Sequence, residues 1–244
     1  YVYPISTTAT GDFAAVMAKA SGIYAKYDEA FANKCLEASK KAYAYMEANA
    51  EADTKGFLNP EGVETGEYPD AINTDEWFWA AMELYVVTGE QTYLDRAKAL
   101  YHDDMELGLG WIEMGLYGIH TYLTSDLADQ DPAFKETLTN RVLEEVSMAN
   151  LISRREGYYN RMRAIYPWGS NLTISNNGIL YALAYKISGE EEYRELSGYQ
   201  VDYILGMNPC GYSFLTAFGD HAAEHPHHRP SQNKGHTVPG MVVG

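Results

Sequence analysis

Apolar residues recur at helical spacing along most of the chain, and no β-rich stretch competes with that pattern. Phe13, Val16, Met17, Ala20, Ile23 and Tyr24 fall three or four apart and predict a first helix, capped by Thr10 or Asp12; the polar residues 1–10 before it read as extended. A second helix is expected over residues 28–50, on Phe31, Cys35, Leu36, Ala42, Tyr43 and Met46. Pro60, Gly62 and Gly66 make residues 56–68 a loop. Residues 73–88 predict a third helix, with Asp75 and Glu76 in the first turn, where the helix dipole favours negative charge, and Gly89 as its stop. A fourth spans residues 91–101. Gly108 and Gly110 then open a loop that carries Trp111. Residues 112–123 form a shorter helix whose pattern Gly115 and Gly118 interrupt, and residues 134–152 form another. Residues 157–170, with Pro167-Trp168-Gly169-Ser170-Asn171, are irregular, and residues 180–188 and 190–205 make the last pair, about eight helices in all.

One stretch repeats. Glu83-Leu84-Tyr85-Val86-Val87-Thr88-Gly89-Glu90-Gln91-Thr92-Tyr93 matches Leu183-Ala184-Tyr185-Lys186-Ile187-Ser188-Gly189-Glu190-Glu191-Glu192-Tyr193: helix, glycine stop, acidic restart, helix. A looser third copy runs from Gly22 to Phe31. Such a repeat predicts an array of antiparallel α-hairpins.

After the last helix the character changes. Asn208-Pro209 ends it, because a proline ring disfavours the α region for the residue before it. An aromatic loop follows, and then Pro226-His227-His228-Arg229-Pro230. Arg229 precedes a proline and is expected to be extended, which would point His227 and Arg229 one way and His228 the other. An imidazole beside a guanidinium fork suits sugar hydroxyls, a carboxylate or a phosphate. Five histidines crowd residues 221–236, but they sit among prolines, with Cys210 alone nearby, which is poor spacing for zinc.

Composition narrows the partners. A net charge of −16 argues against nucleic acid and against an anionic membrane surface, and no run of about twenty apolar residues is present. Cys35 and Cys210 cannot build a disulfide framework, so they do not report the compartment. The 21 tyrosines suit contact with flat, hydroxyl-rich ligands, although most are expected to fill helix seams. No signal peptide is evident and the chain starts at Tyr1, as expected of a processed product or a piece of a larger protein.

The segments Asp202-Tyr203-Ile204-Leu205-Gly206-Met207-Asn208-Pro209, Ser213-Phe214-Leu215-Thr216, Phe218-Gly219 and Pro226-His227-His228-Arg229 together resemble the signature of glycoside hydrolase family 9, which consists largely of cellulases. Residues 12–18 and 76–85 also look like family segments; His221 departs from the Asn, Lys or Arg usual at its place. The resemblance implies an all-α (α/α)6 toroid, present here as an incomplete portion built of α-hairpins, with residues 1–244 forming part of a single catalytic domain. It implies inverting cleavage of β-1,4-glucosidic bonds in cellulose or a related β-glucan by a secreted enzyme, and flanking segments of the same domain as partners. Alternatives are another β-linked saccharide, such as mixed-linkage glucan or a glucosamine oligomer, and a non-catalytic carbohydrate-binding piece.

Inverting hydrolysis needs a carboxylic acid and a carboxylate base. The family's Asp-Ala-Gly-Asp base motif and late Asn-Glu acid segment are both missing from residues 1–244, so the isolated chain is expected to be inactive. What the resemblance leaves here is binding. It places His227 at the catalytic centre and Arg229 on the sugar; the competing reading pairs Arg229 with a structural carboxylate. Trp168 corresponds to a tryptophan that stacks on a pyranose ring, or else is a core residue. Trp111 and Tyr212 are further substrate-binding candidates. Asp75 and Glu76 resemble an acidic pair that helps to bind structural calcium, with Ala71-Ile72 where Ser-Gly would be expected; the alternative is an acidic first helical turn. No organic cofactor is implied.

Overall fold

The computed structural model describes residues 5–49, 58–162 and 165–244. They hold α1 (Thr7–Tyr24), α2 (Glu29–Asn49), α3 (Thr74–Thr88), α4 (Gln91–Leu100), α5 (Gly115–Leu123), a 3-10 turn (Asp126–Gln130), α6 (Pro132–Ser153), α7 (Ser170–Ser188), α8 (Glu191–Ile204) and a short α9 (Arg229–Lys234). Extended pairing among the described residues is limited to two isolated bridges, Ser213 with Ala222 and Leu215 with Val242. The protein is all-α, as expected. Gly56, Phe57 and Ala50, at the edges of the expected loop and second helix, lie outside the described residues.

The chain forms two compact units, residues 1–138 and 139–244. In the first, α1 packs on α2 and α3, and α3 also packs on α4 and α5. α1 turns its small residues inward: Gly11, Ala14, Ala15, Ala18 and Ser21 are buried, while Phe13, Val16 and Ile23 are about half exposed. The apolar stripe predicts the helix but not the face that packs. Small side chains bring the backbones close enough for Ser39 Oγ of α2 to donate to the Ala14 carbonyl at 2.6 Å. α3 is buried at every position from Asp75 to Tyr85, as befits a helix covered on several sides. The glycines that interrupt the pattern of α5 serve that packing: a Cβ on Gly118 would lie 2.7 Å from the Phe78 ring and 3.1 Å from the Trp79 Cα.

In the second unit α7 and α8 form the main hairpin. Gly178 lets α8 approach, and Ser197 Oγ donates to the Gly178 carbonyl at 2.9 Å.

Two helices start well before the expected residue. Ser6 caps α1, its Oγ accepting from the Ala9 amide, while Thr10 Oγ1 donates back to the Ser6 carbonyl at 2.6 Å rather than acting as a cap. α7 begins at Ser170 rather than residue 180. Its first half is rich in Asn, Ser and Thr and so resembles a loop, yet Ile174, Asn177 and Gly178 are buried along one face, and Ser175 Oγ bonds the Asn171 carbonyl at 2.8 Å.

The repeat holds atom for atom. Gly89 and Gly189 are left-handed (φ 69° and 74°), and their amides donate to Tyr85 and Tyr185 carbonyls at 2.7 and 2.8 Å. Thr88 and Ser188 each donate to the carbonyl four residues back at 2.7 Å and accept from the Glu90 and Glu190 amides at 3.1 Å. The third copy fails: α1 continues through Gly22 to Tyr24, and Ala25 ends it in the αR region.

Candidate functional site

The aromatic loop after α8 is organised by the buried Asn208. Its Nδ2 donates to the carbonyls of Tyr203 and Tyr212, both at 2.8 Å, and its Oδ1 accepts from the Cys210 and Tyr212 amides. The loop is thus folded around one amide side chain, with Pro209 unable to compete for it. Beyond it, Thr216, fully buried, ties the loop to the last described residues: its amide donates to the Met241 carbonyl at 2.9 Å and its Oγ1 to the Val238 carbonyl at 2.8 Å.

Ser213 accepts from the Ala223 amide and donates its own amide to the His221 carbonyl, and the Tyr212 hydroxyl donates to the Ala222 carbonyl at 2.7 Å. These contacts anchor the chain just before Pro226. Exposure alternates as expected: His227 and Arg229 are exposed, while His228 is half-buried with Nδ1 2.9 Å from Ser231 Oγ. The conformation of Arg229 is a correction. It is the first residue of α9 and the extended residue is His228 (φ −129°, ψ 106°), because Pro230 is compatible with the first helical turn, where its missing amide hydrogen is not needed. Among the described residues no carboxylate pairs with Arg229.

Trp168 is 97% exposed and so lies outside the core of the described residues. Gly169, left-handed at φ 77°, turns the chain directly into α7 behind it. Trp168, Tyr212, His227 and Arg229 all belong to the second unit. Trp111 belongs to the first, half-exposed, with its ring edge-on to Tyr68 at 5.3 Å.

The first unit holds a group of carboxyls that the sequence announces only in part. Glu76 is 1% exposed, and Asp75 and Asp70 are also buried. Asp75 Oδ2 accepts from the Met114 amide at 2.7 Å, but Asp75 Oδ1, both Glu76 oxygens and Asp12 Oδ1 have no hydrogen-bond partner. Burial, then Asp75, Asp70 and Asp12, push the Glu76 carboxyl up to about 10; burial, then Asp75 and Asp70, push Asp12 up to about 6. Burial also raises Asp75, against the pull of the Met114 N–H. Unpartnered hard oxygens on adjacent residues fit a calcium ion. Among the described residues no three His, Cys, Asp or Glu side chains converge as a complete metal site, so further ligands would have to be carbonyls. Asp12 and Asp70 went unrecognised as part of this group; their only sequence signal is that each sits near a helix start.

The sequence profile of glycosyl hydrolase family 9 matches residues 1–244. Endoglucanase D of Acetivibrio thermocellus is 29% identical over 249 aligned residues, covering 100% of this chain and 39% of that protein. A xyloglucan-specific endo-beta-1,4-glucanase of Bacteroides ovatus is 34% identical, covering 100% of this chain and 44% of that protein. The solved structure of a single-mutant thermostable endoglucanase from Alicyclobacillus acidocaldarius superposes with a TM-score of 0.87 at 34% identity, over 98% of this chain and 46% of its own. Fold and matches define the class: an incomplete portion of an (α/α)6 toroid built of α-hairpins. The chain belongs to glycosyl hydrolase family 9 and spans less than half the length of these relatives.

Proposed function

We propose that this chain is part of one catalytic domain that hydrolyses β-1,4-glucosidic bonds in a β-glucan with inversion. It supplies binding groups while the acid and base carboxylates lie outside residues 1–244. The observation that carries this reading is the exposure of Trp168, His227 and Arg229, three large side chains with chemistry suited to a sugar and, for Arg229, no carboxylate partner among the described residues. Trp168 offers a π face to the C–H face of a pyranose ring. Arg229 offers its fork of donors to ring hydroxyls, and His227 lies beside it at the catalytic centre. Tyr212 is a further sugar contact in the same unit, and Trp111, in the first unit, is a sugar-binding candidate in its own right. The endoglucanase relatives support this reading, and an extracellular location goes with it.

The xyloglucan-specific relative, 34% identical over the whole of this chain, is the ground for a second reading in which the glucan is branched. Reducing-sugar release by the full-length polypeptide from carboxymethyl cellulose and from xyloglucan, side by side, tests both. Release from neither overturns the proposal. Arg229→Ala should lower turnover more than tenfold, the size of losing a charge-assisted hydrogen bond of about 1.5–3 kcal/mol; unchanged kinetics would remove Arg229 from the site. Calcium, held by Asp75 and Glu76, would take a structural role in the first unit.

A further inference from the structure

Three aromatic side chains meet one tyrosine in the second unit. Tyr203, on the last turn of α8, is buried with Ile174 and Ile204. Its ring lies parallel to that of Tyr166 within 5° at 6.3 Å between centroids, edge-on to Tyr158 at 6.1 Å, and 30° from the plane of Phe214 at 6.2 Å. Tyr158 and Tyr166 belong to the irregular segment that ends in Trp168. Phe214 belongs to the loop whose neighbours Tyr212 and Ser213 grip Ala222 and Ala223, three residues before Pro226. One ring therefore sits between the segment that presents Trp168 and the segment that presents His227 and Arg229.

We infer that Tyr203 is a positioning residue that sets the Trp168 loop and the His227–Arg229 loop relative to each other. The inference rests on the proposed saccharide site and explains how two exposed loops hold one geometry. The described residues of the irregular segment have other ties, but these run to α6 and to the body of α8: Arg161 pairs with Glu145 at 3.0 Å, Gln200 Nε2 donates to the Tyr159 carbonyl at 2.9 Å, and the Tyr159 ring stacks on Tyr199. Asn160, fully buried, donates Nδ2 to the Tyr166 hydroxyl at 3.1 Å and accepts from the Met162 amide, which shapes the segment internally but does not reach the Phe214 loop. The Tyr203 carbonyl also accepts from Asn208 Nδ2, so the same residue anchors the aromatic loop through its backbone. Burial, then Tyr166, push the Tyr203 hydroxyl up to about 12, so it stays protonated and neutral between the rings.

Misplacing a contact by about 1 Å costs up to about a hundredfold in rate or binding. In the full-length polypeptide, Tyr203→Leu should raise KM for a soluble β-glucan by about tenfold with kcat changed by less than threefold, and Tyr203→Phe, which keeps the ring, should restore KM. A residue that only fills the core would instead reduce the folded, active fraction and leave KM unchanged. Tyr166→Leu removes the same stack from the partly exposed side, without opening a cavity at Tyr203, and should raise KM in the same way. It should also speed amide exchange at Phe214 and Ala223, on the far side of Tyr203. Unchanged KM in Tyr166→Leu, or exchange altered only near residue 166, would overturn the inference. A wild-type protein inactive on β-glucan would overturn the functional reading alone, and the exchange experiment would still decide whether Tyr203 joins the loops.

Discussion

Gly11 of α1 and Glu76 of α3 pack so tightly that a Cβ on Gly11 would sit 2.6 Å from the Glu76 Cβ and 3.0 Å from the Met46 methyl. This contact brings α1 against the start of α3 and sets Asp12 beside the buried carboxyls. It also reverses an ordinary rule. Alanine in place of a helical glycine normally stabilises by about 0.5–1 kcal/mol. At Gly11 the added methyl overpacks a filled site, and Gly11→Ala should destabilise by about 1–3 kcal/mol. Gly198, inside α8 with nothing near its would-be Cβ, is the control. Gly198→Ala should raise stability by about 0.5–1 kcal/mol. Urea unfolding of both variants checks the pair; a stabilising Gly11→Ala would mean that α1 and α3 are further apart.

Unpartnered oxygens at Glu76 and Asp75 predict a response to calcium. Stabilisation by a ligand grows as its concentration exceeds Kd and reaches about 2.7 kcal/mol at a hundredfold excess. The full-length protein should therefore melt higher in calcium than in chelator. Glu76→Gln should abolish that difference while leaving the melting temperature in chelator near or above the wild-type value, since it removes a buried carboxyl crowded by three others. A calcium response that survives Glu76→Gln would exclude Glu76 as a ligand.

The parts of the structure that were legible in the sequence are those set by local chemistry. Gly89 and Gly189 end helices left-handed because only glycine does so without strain, and the acidic residue after each starts the next helix. The exposure of His227 and Arg229 on either side of a half-buried His228 agrees with the alternation read from the sequence, although Arg229 is helical rather than extended. What stayed hidden is tertiary. α7 gains its first half because Ile174 and Gly178 find a partner in α8, which no count of its Asn and Ser residues reveals. Asp12 and Asp70 join Asp75 and Glu76 only once α1 is laid against α3. Tyr203 looks like one more seam-filling tyrosine until the loops on either side of it are placed.

The ion pair at the start of α6 gives a pH dependence with a definite sign. Lys98 Nζ donates to Asp131 Oδ2 at 2.6 Å, and the Phe134 amide donates to Oδ1 at 3.1 Å. Lys98 first, then the Phe134 N–H, hold the Asp131 carboxyl below its usual range. A carboxyl depressed in the folded state binds its proton more readily when unfolded. Its stabilisation is therefore present above the unfolded value near 4 and lost as pH falls through the lower folded one. Both side chains are partly exposed, so solvent screening limits the pair to about 0.5–1 kcal/mol. Lys98→Met should cost that much at pH 6 and less at pH 3. An equal loss at both values would assign the effect to the Lys98 ammonium over the Phe134 ring, 5.6 Å from its centroid, rather than to its pairing with Asp131.

The last prediction is that residues 1–244 alone do not cleave β-glucan while the full-length polypeptide does. Inverting hydrolysis requires one carboxyl to protonate the leaving oxygen and another to activate water on the opposite face. The most perturbed carboxyls among the described residues, Glu76 and Asp12, are not suited to either task. They sit with Asp70 and Asp75 near the α1–α3 contact, Glu76 almost wholly buried and out of reach of a polysaccharide, Asp12 half-buried beside it. The exposed sugar-contacting candidates of the second unit, a tryptophan, an arginine and a histidine, offer no carboxyl for either task. Each missing acid or base is worth about 10²–10⁴-fold, so without both the rate falls to near background. Purified, mass-verified residues 1–244 should release no measurable reducing sugar from soluble β-glucan, and the full-length polypeptide should release it readily. Turnover by residues 1–244 alone would mean that carboxylates within this chain perform the chemistry, and Glu76→Gln and Asp12→Asn would then be the first variants to assay.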